Sequence, residues 1–316
     1  MEIRTFRPGL EEAVVSLWNR CVRGCYATGP LDVESFAASV LAKKYYDPDG
    51  LLVAFDQGRP VAFVHAGFKS SDWIQPDCRM GTLSMVAVEE DYLKDGEATV
   101  AEAVRYLFRR GAKQVEAFTI DFPRTPFYNG LYGGELAGMD EEHSRGLELM
   151  RRCRFNISNG ALIMVCELAD EAAFVPPAEG LQLRIGDWQS PLLGRSPAEC
   201  YGIPEPVRRA SLVNLDGEEK GGITFWQLDR YNRASGDHLA VVSHVGVAPE
   251  LQGTGAAVWL QQEVHKILRG EGAERVGLGT GASNGRAVSF YRKLGYQPLK
   301  TAYSFHLDWR RYGDFA

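Results

Sequence analysis

The stretch VAPELQGTGAAVWL, from Val247 to Leu260, constrains this chain more than any other. It reads as a strand end, a glycine-bearing turn and the first turns of a helix. After Pro249 few side chains obstruct the backbone at Gly253, Gly255, Ala256 and Ala257, so consecutive amide N–H groups can converge on an anion such as a diphosphate. The helix that follows opens with four N–H groups that have no partner inside it, and its dipole directs positive potential at the same point. The segment lacks GxGxxG spacing and no Lys follows its last glycine, so it is neither the dinucleotide fingerprint nor a P-loop. An ordinary loop entering an ordinary helix would look similar, and context has to decide.

Some thirty residues on, the chain reads VGLGTGASNGRAVSFYRKLGYQPL, from Val276 to Leu299. Val276 and Leu278 alternate with glycines as in a short strand. Asn284 stands where a cap belongs, and Ala287, Phe290, Tyr291 and Leu294 recur at helical spacing before Gly295 ends the run. The two stretches together make a strand–helix–strand–helix unit with the cradle at the carboxyl end of its first strand, where sheets of this kind bind ligands.

These residues resemble the GNAT superfamily of acyl-CoA-dependent N-acyltransferases. Its signature of Gln or Arg, two residues, Gly, one residue, Gly or Ala is met by Gln252, Gly255 and Ala257, preceded by Val247 and Pro249. Its second signature is met by Asn284, Ala287, Phe290, Tyr291, Leu294, Gly295 and Tyr296. The clear resemblance runs roughly from Gly222 to Trp309.

The first half reads as a second copy. Its order is the strand MEIRTF, an amphipathic helix bearing Ala13, Val14, Leu17, Trp18 and Cys21, a helix over Val33 to Ala42, a hairpin around Asp56, Gln57 and Gly58, and the strand TLSMVAV. Laying Val88 on Val247 brings Gly96 onto Gly255 and Ala98 onto Ala257, but Leu93 replaces the Gln and Asp95 and Glu97 fall within the expected turn. Facing a diphosphate there, like charges would repel. Further on, Met150 replaces the tyrosine and Arg154 the glycine. Pro176 and Pro177 mark a linker. The expected organisation is α/β (α+β) with two tandem GNAT folds, each a mixed, mostly antiparallel sheet flanked by helices with a splayed parallel strand pair. The expected spans are a degenerate domain over 1–168, a linker over 169–180 and a catalytic domain over 181–316.

Acyl transfer to an amine needs a held donor, a neutral nucleophile, a polarised carbonyl and a protonated leaving thiolate. By resemblance, backbone groups of Val245 and Val247 hold the pantetheine arm of acetyl-CoA, amides from Gln252 through Gly253, Thr254, Gly255 and Ala256 to Ala257 take the diphosphate, Asn284 reaches the arm from the other side, and Arg286 meets the remote phosphate. Tyr291 is the expected acid for the thiolate, since a phenol stays protonated at neutral pH. His244, beside Ser243 in the strand before the cradle, titrates in the range of a base, and a structural histidine or no base at all are the alternatives. Asp237, His238 and Trp226 are acceptor-side candidates by position only; Tyr128, Tyr132 and Glu135 lie in a long glycine- and tyrosine-rich loop over Pro123 to Gly146, which reads either as the lining of an acceptor pocket or as a surface loop that only packs.

A net charge of −6 disfavours nonspecific nucleic-acid binding and suits an amine acceptor. The six cysteines lack metal-finger spacing, which predicts reduced thiols and no metal. With no apolar run near twenty residues, and Glu2, Arg4 and Arg7 in place of a signal core, a cytoplasmic protein without a membrane partner is expected. The expected activity is N-acetyl transfer to a small-molecule or peptide amine. The alternative is a CoA-thioester-binding regulatory module without turnover. Acceptor identity, acyl length and oligomeric state leave no mark in the sequence.

Overall fold

The computed structural model describes residues 2–22, 29–70, 75–119, 125–128, 130–132, 138–168, 180–189 and 205–308. All of the expected 169–180 linker but its last residue, with Glu135, Cys25 and Cys200, lies outside them. The chain divides into two compact units, one of Met1–Ala161 with Lys300–Ala316 and the other of Leu162–Leu299.

The first unit contains β1 (Glu2–Thr5), α1 (Glu11–Cys21), α2 (Val33–Phe36, continued by a π turn over Ala37–Leu41), β2 (Leu51–Asp56), β3 (Arg59–Ser70), β4 (Pro76–Val88), α3 (Leu93–Arg109), β5 (Gln114–Ala117), β6 (Met139–Asp140), α4 (Ser144–Arg152) and the start of β7 (Phe155–Glu167). Neighbouring strands run antiparallel from β1 to β4, and β4 then pairs parallel with β5. From Val61 to Ser70 and from Gly81 to Val88 every residue is buried. Strands covered on both faces are buried without interruption in this way, and α3 and α1 supply the covers here through Val100, Ala103, Val104 and Leu107, and through Val14, Leu17 and Trp18.

The second unit contains the remainder of β7, then β8 (Gln182–Asp187), β9 (Arg208–Val213), β10 (Glu219–Gln227), α5 (Asp229–Ser235), β11 (Leu239–Val247), α6 (Ala256–Gly270), β12 (Arg275–Gly281), α7 (Gly285–Lys293) and the first residues of β13 (Gln297–Leu307). Strands β8 to β11 are antiparallel neighbours and β11 pairs parallel with β12. Helix α6 covers one face through Ala256, Leu260, Val264 and Leu268, packed on Ala210, Leu212, Ile223 and Phe225. Both halves therefore have the expected mixed, mostly antiparallel sheet with one parallel pair.

The final strand departs from a linear reading of two halves. Beyond Lys300, β13 belongs to the first unit, where Phe305 and His306 pair with Ala117 and Glu116 of β5 and Ala302 and Tyr303 pair with β6. Lys300 there forms a buried ion pair with Asp140. The second half of β7, from Leu162, belongs to the second unit, where Leu168 N–H donates to Glu274 O at 2.8 Å.

Candidate functional site

In the second unit the parallel pairing of β11 with β12 runs from Leu239↔Arg275 to Val241↔Gly277, while β11 continues to Val247. Past Val241 the edge that faced β12 has no strand partner among the described residues, so its peptide groups are open to a ligand. A bulge sharpens the divergence. Pairing with β10 shifts between Gly222↔Gly246 and Thr224↔Ser243, and His244, inside the shift, has φ +50°. The side chains of Val245 and Val247 pack against the core beneath α6, which leaves their backbone at the splayed edge.

The chain then makes a single 3₁₀ turn, Pro249–Leu251, and crosses Gly253 at φ +82° and Gly255 at φ +93° before α6 begins at Ala256. Such angles put a side chain in conflict with its own backbone, so the two turns demand glycine. Gly255 occupies the cap position and supplies no side-chain acceptor. Among the described residues the N–H groups of Gly253, Gly255, Ala257 and Val258 have no backbone acceptor, and Ala256 N–H has only the Thr254 hydroxyl at 3.4 Å. No atom lies within 4 Å of the place a Cβ on Gly253 would take. Unpaired donors at the positive end of a 15-residue helix, with open space before them, fit a diphosphate.

Across the cleft, Asn284 caps α7, its Oδ1 accepting from Ala287 N–H at 3.1 Å. Its side chain is thus engaged with its own helix. Arg286 donates to Gln252 Oε1 at 2.7 Å and ties the start of α7 to the cradle. Tyr291 packs between Phe290 and Tyr296, with ring centroids 5.2 and 5.6 Å away. Burial pushes its phenol up to about 12. Tyr296 is fully buried, and its hydroxyl meets Gln261 Nε2 at 2.6 Å and His265 Nε2 at 2.8 Å, which anchors it to α6.

The exposed ring of His244 lies 5.1 Å from the ring of Trp188, and its Nδ1 is 3.2 Å from Thr224 Oγ1. Because the Thr224 hydroxyl donates to Ser243 O at 2.9 Å, it accepts from Nδ1–H, and the imidazole lone pair is left on Nε2. Neither Trp188 nor Thr224 was marked by the sequence, since both reach His244 across strands.

Other acceptor-side candidates fall elsewhere. Asp237 and His238 precede β11 at the end remote from the cradle, about 27 Å along the strand by its rise. Asp237 is paired with Arg275 at 2.6 Å and accepts from the Tyr231 hydroxyl at 2.9 Å, and Trp226 is buried opposite Val241. Tyr128 and Tyr132 are buried inside the first unit, with the Tyr132 hydroxyl donating to Pro30 O.

The matching place in the first unit is built differently. Ala62↔Val88 answers Gly221↔Val247, a register shift at Ser84 answers the bulge at His244, and Arg154 takes the positive φ of Gly295. The expectation of a turn around Gly96 is corrected, however. Helix α3 starts at Leu93, so Gly96 sits inside it, and a Cβ there would approach Val88 Cγ2 to 2.9 Å and Leu149 to 3.1 Å. Close packing of helix on strand explains this glycine. Glu97 is engaged by Arg152 at 3.1 Å. The end of β4 is wholly buried, whereas β11 is half-buried or exposed from Ser243 on. At the place matching Thr224 stands His65, fully buried beside Tyr46 and Phe127 and pushed down to about 3 by desolvation.

Comparison with known proteins agrees with this geometry. Residues 181–296 match the model of the acetyltransferase (GNAT) family. The fold is similar to that of a tandem GNAT protein from the clavulanic acid biosynthesis pathway, with a TM-score of 0.68 at 14% identity over 96% of this chain and 97% of the other. It is also similar to a GCN5-related N-acetyltransferase from Sphaerobacter thermophilus, with a TM-score of 0.61 at 14% identity over 96% and 94% of the two chains. A third likeness, to a GCN5-related glucosamine N-acetyltransferase region of a fungal multi-domain β-N-acetylglucosaminidase, has a TM-score of 0.65 at 15% identity and covers 97% of this chain and 38% of that one. No curated protein matches the chain significantly in sequence. Among the described residues no helix is long and apolar enough to cross a membrane. Residues 181–296 are therefore a domain of the acetyltransferase (GNAT) family, within a chain that has the tandem GNAT fold.

Proposed function

We propose that the second unit transfers an acetyl group from acetyl-CoA to a primary amine of a small molecule or peptide by direct attack. One observation carries the reading: unpaired N–H groups at Gly253, Gly255 and Ala257 stand beside a β11 edge freed by the bulge at His244, so one cleft offers sites for a diphosphate and for an amide-bearing arm. The thioester supplies an activated acyl carbon and a thiolate leaving group. Amides at the cradle hold the anionic end, and peptide groups near Val245 and Val247 orient the arm and polarise the carbonyl.

The amine nitrogen forms a bond to the acyl carbon, the C–S bond breaks, and the departing sulfur takes its proton from Tyr291 Oη. A phenol held near 12 by burial keeps that proton throughout the neutral range. His244 Nε2, made the basic nitrogen by Thr224, accepts the proton lost by the amine. The first unit, where α3 begins at Leu93 and the end of β4 is buried, contributes no donor site in this reading.

Release of free CoA thiol from acetyl-CoA with an amine panel tests the proposal, comparing the native chain with Tyr291→Phe. Turnover reduced about 100-fold or more in the variant, with the KM for acetyl-CoA little changed, is the expected result. Acetyl-CoA binding without turnover on any amine would mean a module that only senses the thioester.

A further inference from the structure

The sheet face opposite α6 in the second unit carries a pocket of about 330 Å³ lined by Arg184, Asp187, Trp188, Arg209, Ser211 and Glu219. Strand register places it against the proposed reaction site. Arg184 pairs with Ser211, Ser211 with Gly222 and Gly222 with Gly246; in the next row Gly186 pairs with Arg209, Arg209 with Thr224 and Thr224 with Ser243, beside the His244 bulge. Trp188 ends the pocket and carries it to the imidazole.

Arg209 is fixed there. Its Nε and Nη2 donate to Glu219 Oε1 at 3.1 and 2.6 Å, and Ser211 Oγ donates to the other carboxylate oxygen at 2.8 Å. The guanidinium lies over Gly222, where a Cβ would come within 2.4 Å of Nη2, so a larger residue at that position would push it aside. Lying over β10, it is one inter-strand spacing, about 4.8 Å, from β11. Arg184 stands diagonally across from it, close enough to act on Glu219, and forms no ion pair among the described residues. Two guanidiniums against one clamping carboxylate leave an uncompensated positive charge at this end, while Asp187 sits next to Trp188 at the other.

Resting on the acetyltransferase reading, we infer that the acceptor is an amino carboxylate: its carboxylate is held by Arg184 and Arg209, its body lies on Trp188, and its amine is presented at His244. Paired guanidiniums suit a carboxylate: Arg184 offers two parallel N–H groups to its oxygens, and Arg209, with Nε and one Nη2 hydrogen on Glu219, offers its remaining Nη hydrogens. An amine lacking the carboxylate leaves these donors without a partner and is discriminated against.

Matched pairs of an amino acid and its decarboxylated amine test this, with lysine and cadaverine, tyrosine and tyramine, and β-alanine and ethylamine assayed by thiol release. The native chain is expected to favour the carboxylate member of at least one pair by about tenfold or more in kcat/KM. Arg184→Gln is expected to bring that ratio close to one by raising the acceptor KM, with the KM for acetyl-CoA unchanged. Arg209→Gln is expected to do the same; Arg184, exposed and unpaired, keeps the test valid if the Arg209 variant fails to fold. Ratios at or below one for every pair, or a ratio unmoved by Arg184→Gln, overturn the inference. If no amine is turned over, the acetyltransferase reading fails by itself, and calorimetry of the same amino acids against the native chain and Arg184→Gln decides the pocket: binding weakened in the variant supports it, and no difference overturns it.

Discussion

Glu205, just before β9, offers a sharp test of how the second unit is held together. The residue is 7% exposed, both carboxylate oxygens lack a side-chain hydrogen bond, and desolvation, only partly offset by its own backbone N–H and by Arg230, raises its carboxyl from 4.5 to about 7. The folded value lies above the unfolded one. Stability from this group is therefore fully present below pH 4.5 and is lost as pH rises through about 7. Ionising it in the folded chain costs about 3 kcal/mol at pH 8 and under about 1 kcal/mol at pH 5. Glu205→Gln keeps the shape and removes the charge, so the variant should gain on the native chain by about 2 to 3 kcal/mol between pH 5 and pH 8, or roughly 3 to 5 °C in Tm for a chain of this length. Whatever the amide gains or loses in hydrogen bonding is independent of pH and cancels in that difference. Urea or thermal unfolding of both chains at the two pH values measures it, and a stability difference that stays flat with pH refutes the reasoning.

Three further outcomes are expected. Gly255→Ala places a side chain at φ +93° on the cradle, with a strain of about 1 to 2 kcal/mol, and should raise the KM for acetyl-CoA about 5- to 30-fold while kcat moves less. Gly96→Ala should destabilise the first unit by about 1 to 3 kcal/mol in denaturant unfolding, because its Cβ meets Val88 and Leu149, and should leave acetyl-CoA affinity by calorimetry unaltered. Lys300→Met removes one partner of an ion pair whose side chains are 4% and 10% exposed and should cost about 3 to 5 kcal/mol, with part of it recovered by adding Asp140→Asn.

What could be read from the chain alone was local. The cradle from Gln252 to Ala257 was legible because glycine at positive φ followed by alanines leaves few other structures open, and the Asn284 cap and Gly295 stop bounded α7 for similar reasons. The bulge at His244 carries no such mark, since a histidine at φ +50° is imposed by pairing with β10 and not by its neighbours in sequence. The early start of α3 was missed because aligning Gly96 with Gly255 assumed a turn, while Lys94 stands where the turn would require Gly253. Arg184, Arg209, Ser211 and Glu219 were invisible as a group: they converge only once three strands are in register.

The path of β13 sets a limit on how this chain can be divided. A cut at the midpoint would strip the earlier repeat of the strand that pairs with Ala117 and Glu116, and leave that piece with a raw sheet margin open to unwanted partners. Separate expression of the two repeats should give sticky, unstable fragments. A chain built this way cannot shed its first half without stranding Phe305 and His306, and the two repeats are kept together by mechanical dependence whatever chemistry each performs.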